Sequence, residues 1–256
     1  MKTIAVLSRK GGAGKTTMAV SLAIAAQQAA LKAVVADIDP LRSAAVVLGG
    51  RKDAASILLE TSAGRLKAVR EACRRNGCDL LIIDTPPSPA SDVVKAIDIA
   101  DVCIAVARPS ALDVAAIHET IELIWKRKRP GLVALNQCPP ARNGVEAALT
   151  RRALQALAYA RLPVAQTKIR SRLCYQQAAG EAQAATEFAP RSEAALDLQR
   201  LLVEVGERIT GDARREAELR TYQGPALCDD AAGLDAPWGT SLPMLAAGSA
   251  LAWDLV

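Results

Sequence analysis

The sequence predicts an α/β fold, a doubly wound and mostly parallel sheet flanked by helices, on three observations. Short apolar runs alternate with longer helical patterns, the order that buries a parallel sheet between two helical layers. The first run leads into a glycine-rich turn and then an alanine-rich stretch, a strand–loop–helix sequence. Of the 256 residues 51% are hydrophobic but only 3% aromatic, so Val, Ile, Leu and Ala fill both faces of the sheet.

In chain order, the wholly apolar Ile4 to Leu7 reads as the first strand and the alanine-rich Lys15 to Ala30 as the first helix. Ala33 to Ile38 is the second strand, and a helix over Gly64 to Asn76 leads to a third strand, Leu80 to Asp84. Helices over Ser91 to Ala100, Leu112 to Lys126 and Gly144 to Tyr159 precede apolar runs at Val102 to Ala107, Leu132 to Asn136 and, weakest, Val164 to Thr167. In Ser192 to Ile209 the residues Ala195, Leu198, Leu202, Val205 and Ile209 recur at roughly helical spacing, giving one apolar face that closes the domain. Residues 1–210 are thus expected to form a single domain. Over 211–256 glycine and proline become frequent and the apolar residues lose their period, so this stretch reads as an irregular, poorly ordered tail.

The net charge of +5 is unevenly placed: residues 211–256 carry three arginines and seven acids, which leaves +9 on residues 1–210. A basic body of that size suits nucleic acid if the charge gathers on one face. Basic residues cluster at Lys126 to Arg129, where they also complement a helix C-terminus, and at Lys168, Arg170 and Arg172. No apolar run approaches the roughly 18 residues that span a bilayer, and the N-terminus lacks a signal peptide's design. The six cysteines show no C-x-x-C pair and no histidines at ligand spacing, as expected of a reduced, cytosolic protein; the lone His118 reads as structural.

The chemistry concentrates in Ser8 to Thr17, Ser-Arg-Lys-Gly-Gly-Ala-Gly-Lys-Thr-Thr. Backbone NH groups and a helix N-terminus converge there on one anion, Lys15 can reach the β and γ phosphates, and the Thr16 hydroxyl can ligate Mg²⁺. The strict pattern G-x-x-x-x-G-K-[ST] requires glycine at position 9, where this chain has Arg9; Lys10-Gly11-Gly12-Ala13-Gly14-Lys15-Thr16 takes its place. Two strand ends supply carboxylates. Asp84, before Thr85-Pro86-Pro87, suits a Mg²⁺-bound water, and Asp37 and Asp39 are two residues apart, so in a strand they share a face.

The loop Lys10 to Thr17, Asp37-Ile38-Asp39-Pro40 and Asp84-Thr85-Pro86-Pro87 together resemble the deviant-Walker P-loop ATPases of the ParA/MinD superfamily. The likeness extends to about residue 210. Pro40 to Ala44, Arg108-Pro109-Ser110 with Asp113, and Ile169 to Arg172 are most similar to the small ParA partition ATPases. The resemblance implies that Lys10 to Thr17 bind nucleotide, with Lys15 on the β/γ phosphates and Lys10 reaching across an ATP-bound homodimer to the partner's phosphates. It implies Mg²⁺ held by Thr16 and through water by Asp84, with Asp37 assisting, Asp39 positioning the attacking water, and Asn136 reading adenine. It further implies that Arg170 and Arg172 contact DNA nonspecifically, that a centromere-binding partner protein stimulates slow hydrolysis, and that the protein segregates plasmid or chromosomal DNA, cytoplasmic and nucleoid-associated when ATP-bound. One departure bears on hydrolysis: many partition ATPases have glutamine where this chain has Leu41.

Three other readings compete with this one. A MinD-like membrane ATPase needs a basic amphipathic C-terminal helix, whereas the tail is acidic and interrupted by Pro and Gly. A nitrogenase-like redox role would rest on Cys103 and Cys138, which lie in or beside apolar strands where free cysteine is ordinarily buried. A metabolic P-loop ligase would need a second substrate pocket, for which no dedicated residues stand out.

Overall fold

The computed structural model describes residues 1–87 and 91–221. In chain order the elements are β1 (Lys2–Leu7), α1 (Lys15–Gln28), β2 (Ala33–Asp37), α2 (Ser43–Leu48), α3 (Ala54–Ile57) and β3 (Leu58–Glu60). A one-turn 3-10 helix (Ala63–Arg65) precedes α4 (Leu66–Arg75), β4 (Leu80–Asp84), α5 (Ser91–Ile99), β5 (Val102–Ala107), α6 (Ala111–Lys126) and β6 (Gly131–Leu135). The chain continues through α7 (Ala148–Leu157), α8 (Leu173–Gly180), α9 (Ala185–Phe188) and α10 (Glu193–Thr221).

The six strands form one sheet in the order β3-β2-β4-β1-β5-β6, and every pairing is parallel. The period-2 pleat divides the apolar residues between two cores. On one face Ile4, Val6, Val35, Ile82 and Ile104 pack with Met18 and Leu22 of α1 and Leu198, Leu201 and Val205 of α10. On the other, Ala5, Leu7, Leu81, Ile83 and Cys103 pack with Leu66 of α4, Ile97 of α5, and Ile117 and Ile121 of α6. Burying each Leu or Ile contributes about 1.5–3 kcal/mol, so strands buried on both faces hold the sheet as a rigid platform. Its central β1 is flanked by β4 and β5, strands late in the chain, and the loops that follow β1, β2 and β4 open at one end of it. That strand-order reversal is where α/β sheets bind ligands.

The expected α/β class holds, with differences in detail. β3 was not anticipated: it is an edge strand of three residues, paired to β2 through Val35 and Leu58. The helix expected from Gly144 starts instead at Ala148, because Asn143 (φ 50°) and Gly144 (φ 74°) turn a small hairpin that bonds Arg142 to Val145 in both directions. Val164 to Thr167 forms only a one-residue bridge, Val133 to Val164, since the backbone NH groups of Gln166 and Thr167 donate to the Glu204 carboxylate of α10, both at 2.7 Å. The final helix does not stop at Ile209 but continues past Gly211 to Thr221. The rest of the expected irregular tail, with Cys228, Trp238 and Trp253, lies outside the described residues.

Candidate nucleotide-binding site

The loop between β1 and α1 turns on two glycines with positive φ, Gly12 at 73° and Gly14 at 93°. Gly14 is the N-cap residue of α1, and its carbonyl accepts from Met18 N at 2.9 Å. No side chain caps α1 and its first turn holds no acid, which leaves the helix's positive end facing the loop. Lys15 is only 7% exposed, and burial pushes its pKa down against the opposing pull of Asp84 and Asp39. A lysine held here supplies concentrated positive charge to a phosphate.

The strand register places Asp84 beside Val6 of β1 and opposite Asp37 of β2. Asp84 is fully buried, and among the described residues neither of its carboxylate oxygens has a hydrogen-bond partner. Burial raises its pKa from 3.8 to about 7; the Thr16 hydroxyl, near enough to favour the charged form but outside ordinary hydrogen-bond geometry, and Lys15 oppose the rise, and Asp37 and Asp39 add to it. The neighbouring Thr85 is tied down, its hydroxyl donating to Val6 O at 2.8 Å. An orphaned buried acceptor calls for an external partner. Among the described residues no group of three or more His, Cys, Asp or Glu can hold a metal by itself. The unpartnered Asp84 carboxylate and the nearby Thr16 hydroxyl fit Mg²⁺, which keeps several waters and arrives with phosphate oxygens: Thr16 would ligate it and Asp84 would hold it through water.

Asp37 is the carboxylate expected to assist at the metal. Its Oδ1 accepts from Asp39 N at 2.9 Å and its Oδ2 from Ala44 N at 3.2 Å, so both oxygens are engaged in fixing the loop that leads into α2. Burial nevertheless raises its pKa, against the lowering effect of those two bonds. Asp39 is 6% exposed, and its Oδ1 accepts from Leu41 N at 2.9 Å. Arg42, with φ 50°, was not anticipated: its Nη1 donates to Asp37 O at 2.5 Å and Thr61 O at 2.8 Å, lacing the same loop to the edge of the sheet. Leu41 itself is 76% exposed.

Asn136 and Gln137 follow β6 and grip the glycine loop from the side. Asn136 Nδ2 donates to Ala13 O at 2.8 Å, while its Oδ1 accepts from Gln137 N at 2.9 Å. Gln137 Nε2 donates to Gly12 O at 3.0 Å. The Asn136 amide, expected to read adenine, is thus engaged at both ends within the protein, although the residue also lines a cleft of about 270 Å³ with Gly14, Thr17, Met18, Ile169 and Tyr175. Gln137 went unnoticed in the sequence, whose only hint was its place after Asn136.

Lys10 is exposed and lines a second cleft of about 360 Å³, with Arg108, Ser110, Asp113, Gln137 and Leu149. Arg9, the residue that breaks the strict consensus, pairs with Glu119 of α6. Of the two arginines assigned to DNA, Arg170 makes paired bonds to Glu146 at 2.6 and 2.7 Å and is mostly buried. Arg172 reaches Asp197 at 3.5 Å. In this conformation Arg170 in particular is not free for a phosphate. In the run at Lys126 to Arg129, Arg127 pairs with Asp98 at 3.2 Å and Arg129 donates to the Asp98 carbonyl. The Cys103 and Cys138 thiols are buried, their pKa values pushed up to about 12 and about 11, which suits packing rather than ligation. Among the described residues no helix is long and apolar enough to cross a membrane.

Residues 4–203 match the model of the CobQ/CobB/MinD/ParA nucleotide binding domain. The chain is 36% identical over 123 residues to maintenance of carboxysome distribution protein A of Gloeobacter kilaueensis, covering 47% of this chain and 55% of that protein. It is 31% identical to the chromosome-partitioning ATPase Soj of Thermus thermophilus, covering 34% of this chain and 47% of the relative. The chain thus spans about half the length of the curated relatives it matches. Among solved structures it resembles apo McdA of Cyanothece (TM-score 0.66, 21% identity, 82% of this chain and 99% of that one). It also resembles the septum site-determining protein MinD of Pyrococcus horikoshii with Mg-ADP (TM-score 0.63, 18% identity, 80% and 95%). These last two are likenesses of fold.

Proposed function

We propose, for a chain that belongs to the CobQ/CobB/MinD/ParA nucleotide-binding family, that it is a ParA-like ATPase whose Mg-ATP-bound form dimerises and binds DNA nonspecifically. A partner protein stimulates hydrolysis and ends that state, and the cycle positions or segregates a cargo such as plasmid or chromosomal DNA. The observation that carries the reading is Asp84: a fully buried carboxylate with no hydrogen-bond partner among the described residues, beside Lys15 and Thr16 at the mouth of the glycine loop. Mg²⁺ would supply the countercharge that this carboxylate lacks, and Lys15 would neutralise the phosphates. Asp39, held at the turn after β2, stands at a second strand end to orient the attacking water. Lys10, exposed in the loop, would reach across to a neighbouring subunit's phosphates.

The deciding experiment is co-sedimentation with DNA or with liposomes, with and without ATP. ATP-dependent pelleting with DNA supports the reading; pelleting with liposomes alone replaces it by a membrane-positioning role.

A further inference from the structure

We infer that Asn136 and Gln137 are positioning residues that aim the phosphate-binding NH groups of the glycine loop, rather than contacts that select the base. The inference rests on the nucleotide-binding reading above. In a trans peptide the carbonyl and the NH point in opposite directions. The carbonyl of Gly12 belongs to the same peptide group as the NH of Ala13, and the carbonyl of Ala13 to that of Gly14. Gln137 Nε2 holds the first carbonyl at 3.0 Å and Asn136 Nδ2 the second at 2.8 Å. Two side chains therefore orient two consecutive NH groups towards the opposite side of the loop.

The brace is itself fixed. Asn136 N donates to Ala107 O at 2.8 Å, which anchors the residue to the end of β5, and the bond from Gln137 N to Asn136 Oδ1 locks the amide's orientation. Gln137 takes φ 53° to reach the loop, a conformation that non-glycine residues adopt at a cost. The contact is close enough to dictate sequence on the other side: a β-carbon at Gly14 would lie 2.2 Å from Asn136 Nδ2. Gly14 is required by its φ of 93° and again by the approach of Asn136. Gln137 lines both the cleft beside α1 and the cleft that holds Lys10, so the brace forms the wall between them.

The test compares the dissociation constants of Mg-ATP and of Mg-tripolyphosphate, which has phosphates but no base. It uses the full chain and its Asn136→Ala, Asn136→Asp and Gln137→Ala variants. Each variant is expected to weaken both ligands by the same factor, about tenfold, the equivalent of one net hydrogen bond. Asn136→Asp keeps the acceptor for Gln137 N but sets an oxygen against Ala13 O, so it should fail as Asn136→Ala does. Because the Gln137 side chain is exposed, Gln137→Ala keeps the comparison open even if Asn136 variants unfold. Loss of ATP affinity with unchanged tripolyphosphate affinity would make these residues base contacts and overturn the proposal, as would unchanged affinity for both. A wild-type chain that binds neither ligand would instead refute the nucleotide-binding reading on which the proposal stands.

Discussion

Asp37 and Asp84 are direct register partners across β2 and β4, yet they live opposite lives: Asp37 accepts two backbone NH groups, and Asp84 accepts none. The pair separates a carboxylate that fixes the loop after β2 from one left waiting without a hydrogen-bond partner among the described residues.

Removing the waiting charge should stabilise the free protein. With the pKa of Asp84 raised from 3.8 to about 7, the folded state holds a proton that the unfolded state releases, so stability falls as pH rises across that window and the full penalty is present above it. Asp84→Asn should therefore be more stable than wild type at pH 8, by on the order of 2–4 kcal/mol, with a much smaller advantage at pH 4. Urea unfolding at both pH values checks this, and Mg²⁺-dependent ATP hydrolysis should be lost in the same variant.

Lys15→Ala should abolish ATP binding, because it removes the buried cation at the loop. Equilibrium binding of a labelled ATP analogue measures it directly; retained affinity would sink the assignment of the phosphate site.

Lys10→Ala should behave differently. The side chain is exposed and lines the outer cleft, so ATP binding should stay within a few-fold of wild type while turnover falls by about a hundredfold or more, as expected for a cation supplied in trans. Mixing Lys10→Ala with Lys15→Ala chains provides the complementary check: in a mixed dimer the nucleotide held by the Lys10→Ala chain receives Lys10 from its partner, so turnover should rise above that of either variant alone, whereas a lysine acting in cis would give no recovery.

DNA retention, if it uses Arg170, must break the Arg170–Glu146 pair. Glu146→Gln should then raise ATP-dependent retention, and joint loss of Arg170 and Arg172 should lower it and reduce the slope of log affinity against log salt by roughly 2. Retention indifferent to all three residues would place the DNA surface elsewhere.

How much of this was legible in the sequence depended on how local the signal was. The inner strands, β1, β2, β4 and β5, read clearly because burial on both faces requires apolar runs. β3 was lost because a three-residue edge strand, half exposed, has no such run. The start of α7 was misplaced because Asn143-Gly144 lies inside a helical pattern, though the dipeptide is itself a hairpin signal. Within the site, the placement of Lys15 and Thr16 at the start of α1 and of Asp84 at the end of β4 follows from local spacing. The division of labour between Asp37 and Asp84 does not, since it depends on which backbone NH groups the loop after β2 turns inward. Nor does the Asn136 contact with Ala13, or Arg170 with Glu146, each of which joins residues far apart in the chain.

The carboxylate of Glu204 offers a last consequence. By accepting the NH groups of Gln166 and Thr167, it interrupts the pairing beside β6 between two bridges, Val133 to Val164 and Cys138 to Arg170. An open strand edge there would be a template for other chains, and inward-facing acids are one way proteins blunt such an edge. α10 thus closes one face of the core and also covers two NH groups of the segment that borders β6, so Glu204→Ala should first be noticed as lost solubility rather than lost activity.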